Sequence, residues 1–238
     1  MPFNFSERKH YSIDYESLFN DINSKKILTN KRVQTEYVKA WINFLIKADQ
    51  VVTEQLKTDQ QILELNKHLL LEPEIFQLPM YHENNTIVIH FRASIANQII
   101  SEFKMKKDAQ LINIDEFVKK DRRILWTHVN ENVDSYANNQ DPIIMVPFIN
   151  GQYSNLVIDG NHRLTYKVKE NIKSVPTLIL AESSVIDYSI FSSTFDKYYY
   201  IMNNEFSYMN NESYNKNVDS YELMKKSYLA DGKFKFKD

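Results

Sequence analysis

The 238-residue chain has no cysteine, which excludes disulfides, a thiolate nucleophile and cysteine-ligated zinc, and fits a reducing cytoplasm. Glycine is nearly as scarce. Gly151, Gly160 and Gly232 are the only three, so each is expected where the backbone needs a conformation other residues resist. No run approaches about 18 consecutive apolar residues, so no membrane-crossing helix is expected. The N-terminus lacks the apolar core and small-residue cleavage site of a secretory signal, so the expected location is the cytoplasm. Neither sign of charge dominates. The 29 Lys and Arg face 31 Asp and Glu for a net −2, which excludes a chain-wide electrostatic surface for DNA.

What is present is globular in character: 43% apolar and 13% aromatic residues on a length that allows a sizeable core. Abundant lysine and asparagine fit an AT-rich bacterial or phage genome. Three regions are expected: a mainly helical 1–80, an α+β domain over 81–182 (best defined at 111–181), and a helical Tyr/Asn-rich 183–238. Between Thr35 and Leu71 there is neither Gly nor Pro. Val38, Trp41, Leu45, Ala48, Val52 and Leu56 recur every three or four residues, one apolar stripe of a helix. A second run, Ile62 to Leu70, either continues it or forms an antiparallel partner after a turn near Asp59, and Pro73 ends it. The stripe serves core packing or a dimer contact through residues 35–71.

Further along, β-branched and apolar runs bounded by turn residues predict strands at 86–91, 111–114, 143–146, 153–158 and 175–180. Helices are expected from Ser94, over 122–138 (Leu125, Val129, Val133, Tyr136) and after Gly160. Asn150-Gly151 reads as a type I′ hairpin turn. Asn203-Asn204 and Asn210-Asn211 read as breaks between C-terminal helices, and Lys233–Lys237 as a loosely held tail. His90 and Arg92 are expected at the surface or in interdomain hydrogen bonds. Lys119–Arg123 is the densest basic cluster, a solvated helix start unless it approaches a phosphate site. The remaining histidines show no metal-ligand spacing, so no permanent metal site is expected.

One stretch carries chemistry: Leu156-Val-Ile-Asp159-Gly160-Asn161-His162-Arg163. A strand ends at Asp159, Gly160 turns the chain, and a helix starts whose first N–H groups lack internal partners and lie at the positive end of its dipole. With His162 and Arg163 in the turn, the place suits a phosphate or another anion. Asp159 would accept a proton from a hydroxyl or help to hold Mg²⁺. The plainer alternative makes Asp159 a helix cap and His162 and Arg163 surface groups.

The Asp159-Gly160-Asn161-His162-Arg163 turn, the helix after it and Lys173-Ser-Val-Pro-Thr-Leu-Ile179 resemble the ParB/sulfiredoxin-like superfamily, as does Asp141-Pro142 before its strand. The resemblance covers residues 111–181, and it implies that superfamily's small mixed sheet and a nucleotide site at the turn. Sulfiredoxin chemistry is excluded, because Asn161 stands where those enzymes carry their cysteine. Partition proteins carry an arginine-rich turn and a following helix-turn-helix, neither of which is visible here. The closest motif is that of kinases acting on free serine. That branch implies ATP or ADP (or CTP) with Mg²⁺, phosphate binding by Gly160, Asn161, His162 and Arg163, and a catalytic carboxylate at Asp159 or Glu116, with Asp115 not separable from Glu116. A small hydroxylated molecule would be the phosphoryl acceptor. The alternative is a non-enzymatic regulatory or DNA-associated protein on the same fold. The chain departs from the family by lacking a glycine before Pro142 and by its extra N-terminal helices.

Overall fold

The computed structural model describes residues 3–4, 9–71 and 74–236 and is a mixed α+β protein. Strands β1 (Phe3–Asn4) and β2 (Lys9–His10) pair antiparallel. Helices α1 (Tyr15–Ser24), α2 (Lys31–Gln55) and α3 (Asp59–Leu71) follow. A two-stranded sheet joins β3 (Ile75–Tyr81) to β4 (Thr86–Arg92). Next come α4 (Ala93–Glu102), β5 (Gln110–Asn113), α5 (Asp115–Val118) and β6 (Ile124–Leu125). Then β7 (Ile143–Asn150), β8 (Tyr153–Asp159), α6 (Asn161–Lys169) and β9 (Ser174–Ile179) succeed one another. The last helices are α7 (Glu182–Asp187), α8 (Thr194–Asn210), α9 (Ser220–Lys226) and α10 (Tyr228–Asp231).

The chain divides into two compact units. One comprises Met1–Pro73, Gln77–His90 and Phe191–Asp238; the other comprises Glu74–Phe76 and Phe91–Ile190. Most of the expected N-terminal and C-terminal regions, together with residues 81–90, therefore fall in one unit, while 74–76 and 183–190 belong to the other. The physical reason is the α2 stripe. An apolar stripe must be covered, and α8 supplies the cover from the far end of the sequence. Val38, Trp41, Leu45, Ala48 and Val52 are all buried, with Tyr37 and Trp41 meeting the Phe206 ring edge-on. Of the two expected uses of the stripe, core packing is the one seen in these buried residues.

The turn near Asp59 separates α2 from α3. There the Thr58 hydroxyl accepts from the Gln61 N–H at 3.3 Å, while Gln61 Oε1 accepts from the Thr58 N–H at 2.9 Å. This reciprocal capping box starts a new helix. Pro73, expected to end it, lies outside the described residues. In α8 the expected break at Asn203-Asn204 is absent: Asn204 is buried inside a continuous helix, and packing overrides the weak preference of asparagine. The second expected break falls where α8 gives way to a π turn at Asn211–Asn215. The tail is held rather than loose as far as Phe236, which is buried and stacks on Tyr208 at 5.7 Å; Lys237 lies outside the described residues.

The second unit is built on a curled five-stranded sheet of order β5-β9-β7-β8-β6. β7 and β8 form an antiparallel hairpin, while β9 runs parallel to β7 and β6 parallel to β8. Phe117, Ile143, Met145, Val157, Leu164 and Val175 form its core. α5 touches both edge strands, and Trp126 Nε1 donates to the Phe117 carbonyl at 2.7 Å. At the hairpin tip Asn150 pairs with Tyr153, so the central residues are Gly151 and Gln152. Only Gly151 has positive φ, which is the pattern of a type II′ turn rather than the expected type I′.

No long helix spans 122–138. Ile124 and Leu125 pair with β8 instead, and only a short turn at Asp134–Tyr136 is helical. The apolar spacing there is real, but the backbone is claimed by tertiary partners. Thr127 N–H donates to Asn161 Oδ1 at 2.9 Å and Val129 N–H to Thr165 Oγ1 at 3.1 Å, which removes donors from any helical ladder.

Candidate functional site

β8 delivers Asp159 to its carboxyl end, and Gly160 bends the chain into α6 with φ of 91°. Only glycine fits this turn. A Cβ here would lie 2.8 Å from Ile143 Cδ1 and 2.9 Å from Arg163 Nη2, in a left-handed conformation that side chains resist. No side chain caps α6 at Gly160, so its first-turn N–H groups at the positive end of the helix dipole receive no side-chain cap there.

The four residues after Asp159 do different work. Asn161 is buried; its Oδ1 accepts from Thr127, so its side chain ties the 126–129 segment to α6 rather than facing a ligand. His162 is 45% exposed, and its ring stacks on Tyr136 at 5.4 Å. Arg163 folds back over Gly160. Its Nη2 donates to Asp159 Oδ2 and to the Pro142 carbonyl, both at 3.1 Å, while its Nε is buried with no hydrogen-bond partner. Asn97 of α4 also donates to Asp159 Oδ2, at 3.1 Å. Asp159 is thus a largely buried carboxylate held from two sides.

A second carboxylate belongs to this group, and sequence reasoning missed it. Glu74 has its carboxyl pushed above the usual range by partial burial and by the Asp159 charge, while Arg163 and His162 pull the other way. Its backbone carbonyl accepts from the Ala93 N–H at 3.0 Å, and the Ala93 carbonyl accepts from Asn97 at 3.1 Å. A short chain of bonds therefore links Glu74 to the residue that holds Asp159. No sequence signal marks Glu74, which lies in another part of the chain. Beside the group, Lys106 pairs with Asp141 at 2.6 Å and, with the Arg163 charge, lowers its carboxyl below the usual range.

Glu116, the expected second carboxylate, lies in the first turn of α5 and pairs with Lys119 at 2.7 Å; Asp115 beside it begins the same short helix. The basic cluster does not reach the Asp159 turn. The Arg123 carbonyl accepts from the Ser154 N–H, at the opposite end of β8 from Asp159 and about 17 Å away at strand rise, and Arg122 lies over the Tyr153 ring. His90, expected at the surface or in interdomain hydrogen bonds, is buried and bonds within its own unit, with Nδ1 3.2 Å from Asp196 Oδ1. Among the described residues, no group of three or more His, Asp or Glu is placed to hold a metal ion, and no helix is long and apolar enough to cross a membrane.

No protein-family model, curated protein or solved structure matches the chain.

Proposed function

We propose that this chain is a nucleotide-binding protein of the ParB/sulfiredoxin-like kind that transfers a phosphoryl group from ATP or ADP to a small hydroxylated molecule. The observation that supports it best is the α6 N-terminus: uncapped by any side chain, opened by a glycine that no other residue can replace without strain, and flanked by half-buried His162. Such a helix start attracts phosphate through its free N–H groups and its dipole. In this reading Gly160 and the backbone of Asn161 and His162 receive the phosphates. Arg163 exchanges its bond to Asp159 for one to phosphate oxygen. The acceptor hydroxyl gives its proton to a carboxylate, Asp159 or Glu74, the latter raised above the usual carboxylate range by partial burial and the Asp159 charge. Mg²⁺ would arrive with the nucleotide, held mainly by phosphate and water oxygens, since the described residues offer no ready-made cage.

The non-enzymatic, DNA-associated alternative has less support. Lys119 and Lys235, in the two basic clusters it would use, are paired with Glu116 and Asp231.

The test is a melting-temperature panel with ATP, ADP and CTP, with and without Mg²⁺. A ligand at about 100 times its Kd stabilises the native state by about 2.7 kcal/mol, a rise of several degrees for a chain of this size. Phosphate transfer to serine and other small alcohols is then measured for the nucleotides that bind. Absence of a shift with every nucleotide defeats the reading.

A further inference from the structure

The helical unit contains a half-enclosed cavity of about 300 Å³ unrelated to the α6 turn. Ligand pockets start at about this size, and a cavity of about half the volume already accepts benzene. Its walls combine the apolar Val52 of α2, Leu56 at the end of α2, Leu65 of α3 and Phe3 with the neutral amides Gln55 and Gln61. Its floor is polar and almost completely buried. His90 and Asp196 are 2% and 3% exposed at the side chain and meet at 3.2 Å. Ser193 Oγ donates to Asp196 Oδ2 at 2.8 Å. The hydroxyl of Ser192, on the same floor, is buried and has no hydrogen-bond partner. Orphaned buried hydroxyls are costly, so one at the base of a cavity is a place where a ligand group is favoured.

These residues do not make a hydrolase. A serine nucleophile must be hydrogen-bonded to its base, and the Ser192 hydroxyl is bonded to nothing. Charge selects what the cavity would hold. The described lining includes two carboxylates, Asp196 at the floor and Glu64, against a single imidazole and no lysine or arginine. An anion is disfavoured there. Each Asp196 oxygen, with one bond made, keeps a lone pair. An ammonium brings three donors and a positive charge, which match those lone pairs and the Ser192 oxygen.

We propose that this cavity binds a small protonated amine with an apolar body, its ammonium at Ser192 and Asp196 and its body against Val52, Leu56 and Leu65. The site is independent of the nucleotide reading. Three probes of nearly equal shape separate the alternatives: phenethylamine, 2-phenylethanol and phenylacetate. Calorimetry with the full chain should give phenethylamine a Kd of roughly 0.1 mM, in keeping with a nine-atom ligand, and at least about ten-fold tighter than either isostere, one ion-pair increment. Ser192→Ala removes the orphan hydroxyl, so the free protein should melt at the same temperature or higher while phenethylamine binding weakens about five-fold or more. Leu65→Trp, which fills the cavity, should abolish binding; if it fails to fold by circular dichroism, Ser192→Ala decides alone. No phenethylamine binding to the wild-type chain, equal binding of the three probes, or unchanged affinity in Ser192→Ala overturns the proposal.

Discussion

Two buried carboxylates, Glu205 in the helical unit and Asp159 in the sheet unit, show how differently one fold treats the same chemical group. Glu205 is fully buried on α8 and closed on every side. The Tyr37 hydroxyl, the Ser227 hydroxyl at 2.8 Å and the Tyr228 N–H at 2.8 Å all donate to it, joining α2, α8 and α10. Asp159 is held by Arg163 and Asn97, yet its surroundings are unfinished: an unpartnered Arg163 Nε, an uncapped helix start, a half-buried histidine and a second carboxylate. A satisfied polar node specifies packing. An unfinished one, at the rim of a sheet, has groups left for a ligand. That contrast assigns a structural role to the first and directs the functional reading to the second.

The largest effect expected is from Glu205→Ala, which strands two buried donors and a half-buried one and should cost about 3 kcal/mol or more in urea unfolding. A loss below about 1 kcal/mol would erase the contrast. The pH dependence of the same node is sharper. Burial raises the Glu205 carboxyl above its usual 4.5, with its hydrogen-bond donors opposing. The native state therefore holds that proton more tightly than the unfolded chain, so this contribution to stability is complete below the unfolded value and is lost as pH rises through the folded one. Glu205→Gln should remove that part of the pH slope; an unchanged slope assigns it elsewhere.

Next in size is a pair of glycines. Gly160→Ala meets Ile143 and Arg163 in a left-handed conformation and should cost about 2 kcal/mol, whereas Gly151→Ala, with φ of 60° and open space around it, should cost about 1 kcal/mol. Equal losses would mean that crowding at the Asp159 turn contributes nothing. The smallest structural effect belongs to His162→Ala, within about 0.5 kcal/mol of wild type because the ring is only half-buried. Under the nucleotide reading it should nevertheless lower the nucleotide-dependent rise in melting temperature. An unchanged rise removes His162 from the phosphate site.

Much of the sheet unit is legible in the chain. Short apolar, β-branched runs mark β7, β8 and β9, and Gly151 and Gly160 mark the two places where the chain reverses or bends. The Thr58–Gln61 capping box is likewise a local signature that separates α2 from α3. Spacing alone misleads at Leu125–Tyr136, because Asn161 and Thr165 take the N–H groups that a helix would need. It misleads again at Asn203-Asn204, where burial outweighs propensity. Of the candidate site, Asp159 through Arg163 is visible as a motif. The division of labour within it, with Asn161 as a tether and Arg163 as an internal partner, is not.

The sequence by itself determined the local turns, the strand and helix periods and the single place where a glycine must sit between a carboxylate and two basic residues. Those features depend on neighbours within a few positions, where backbone sterics and hydrogen-bond geometry act directly. Only the tertiary structure decided that the two ends of the chain form one unit, that the Asp159 charge reaches Glu74, and that His90 lies buried beside Asp196. Each of these depends on desolvation and on charges brought together from distant segments, and neither exists until the chain has folded.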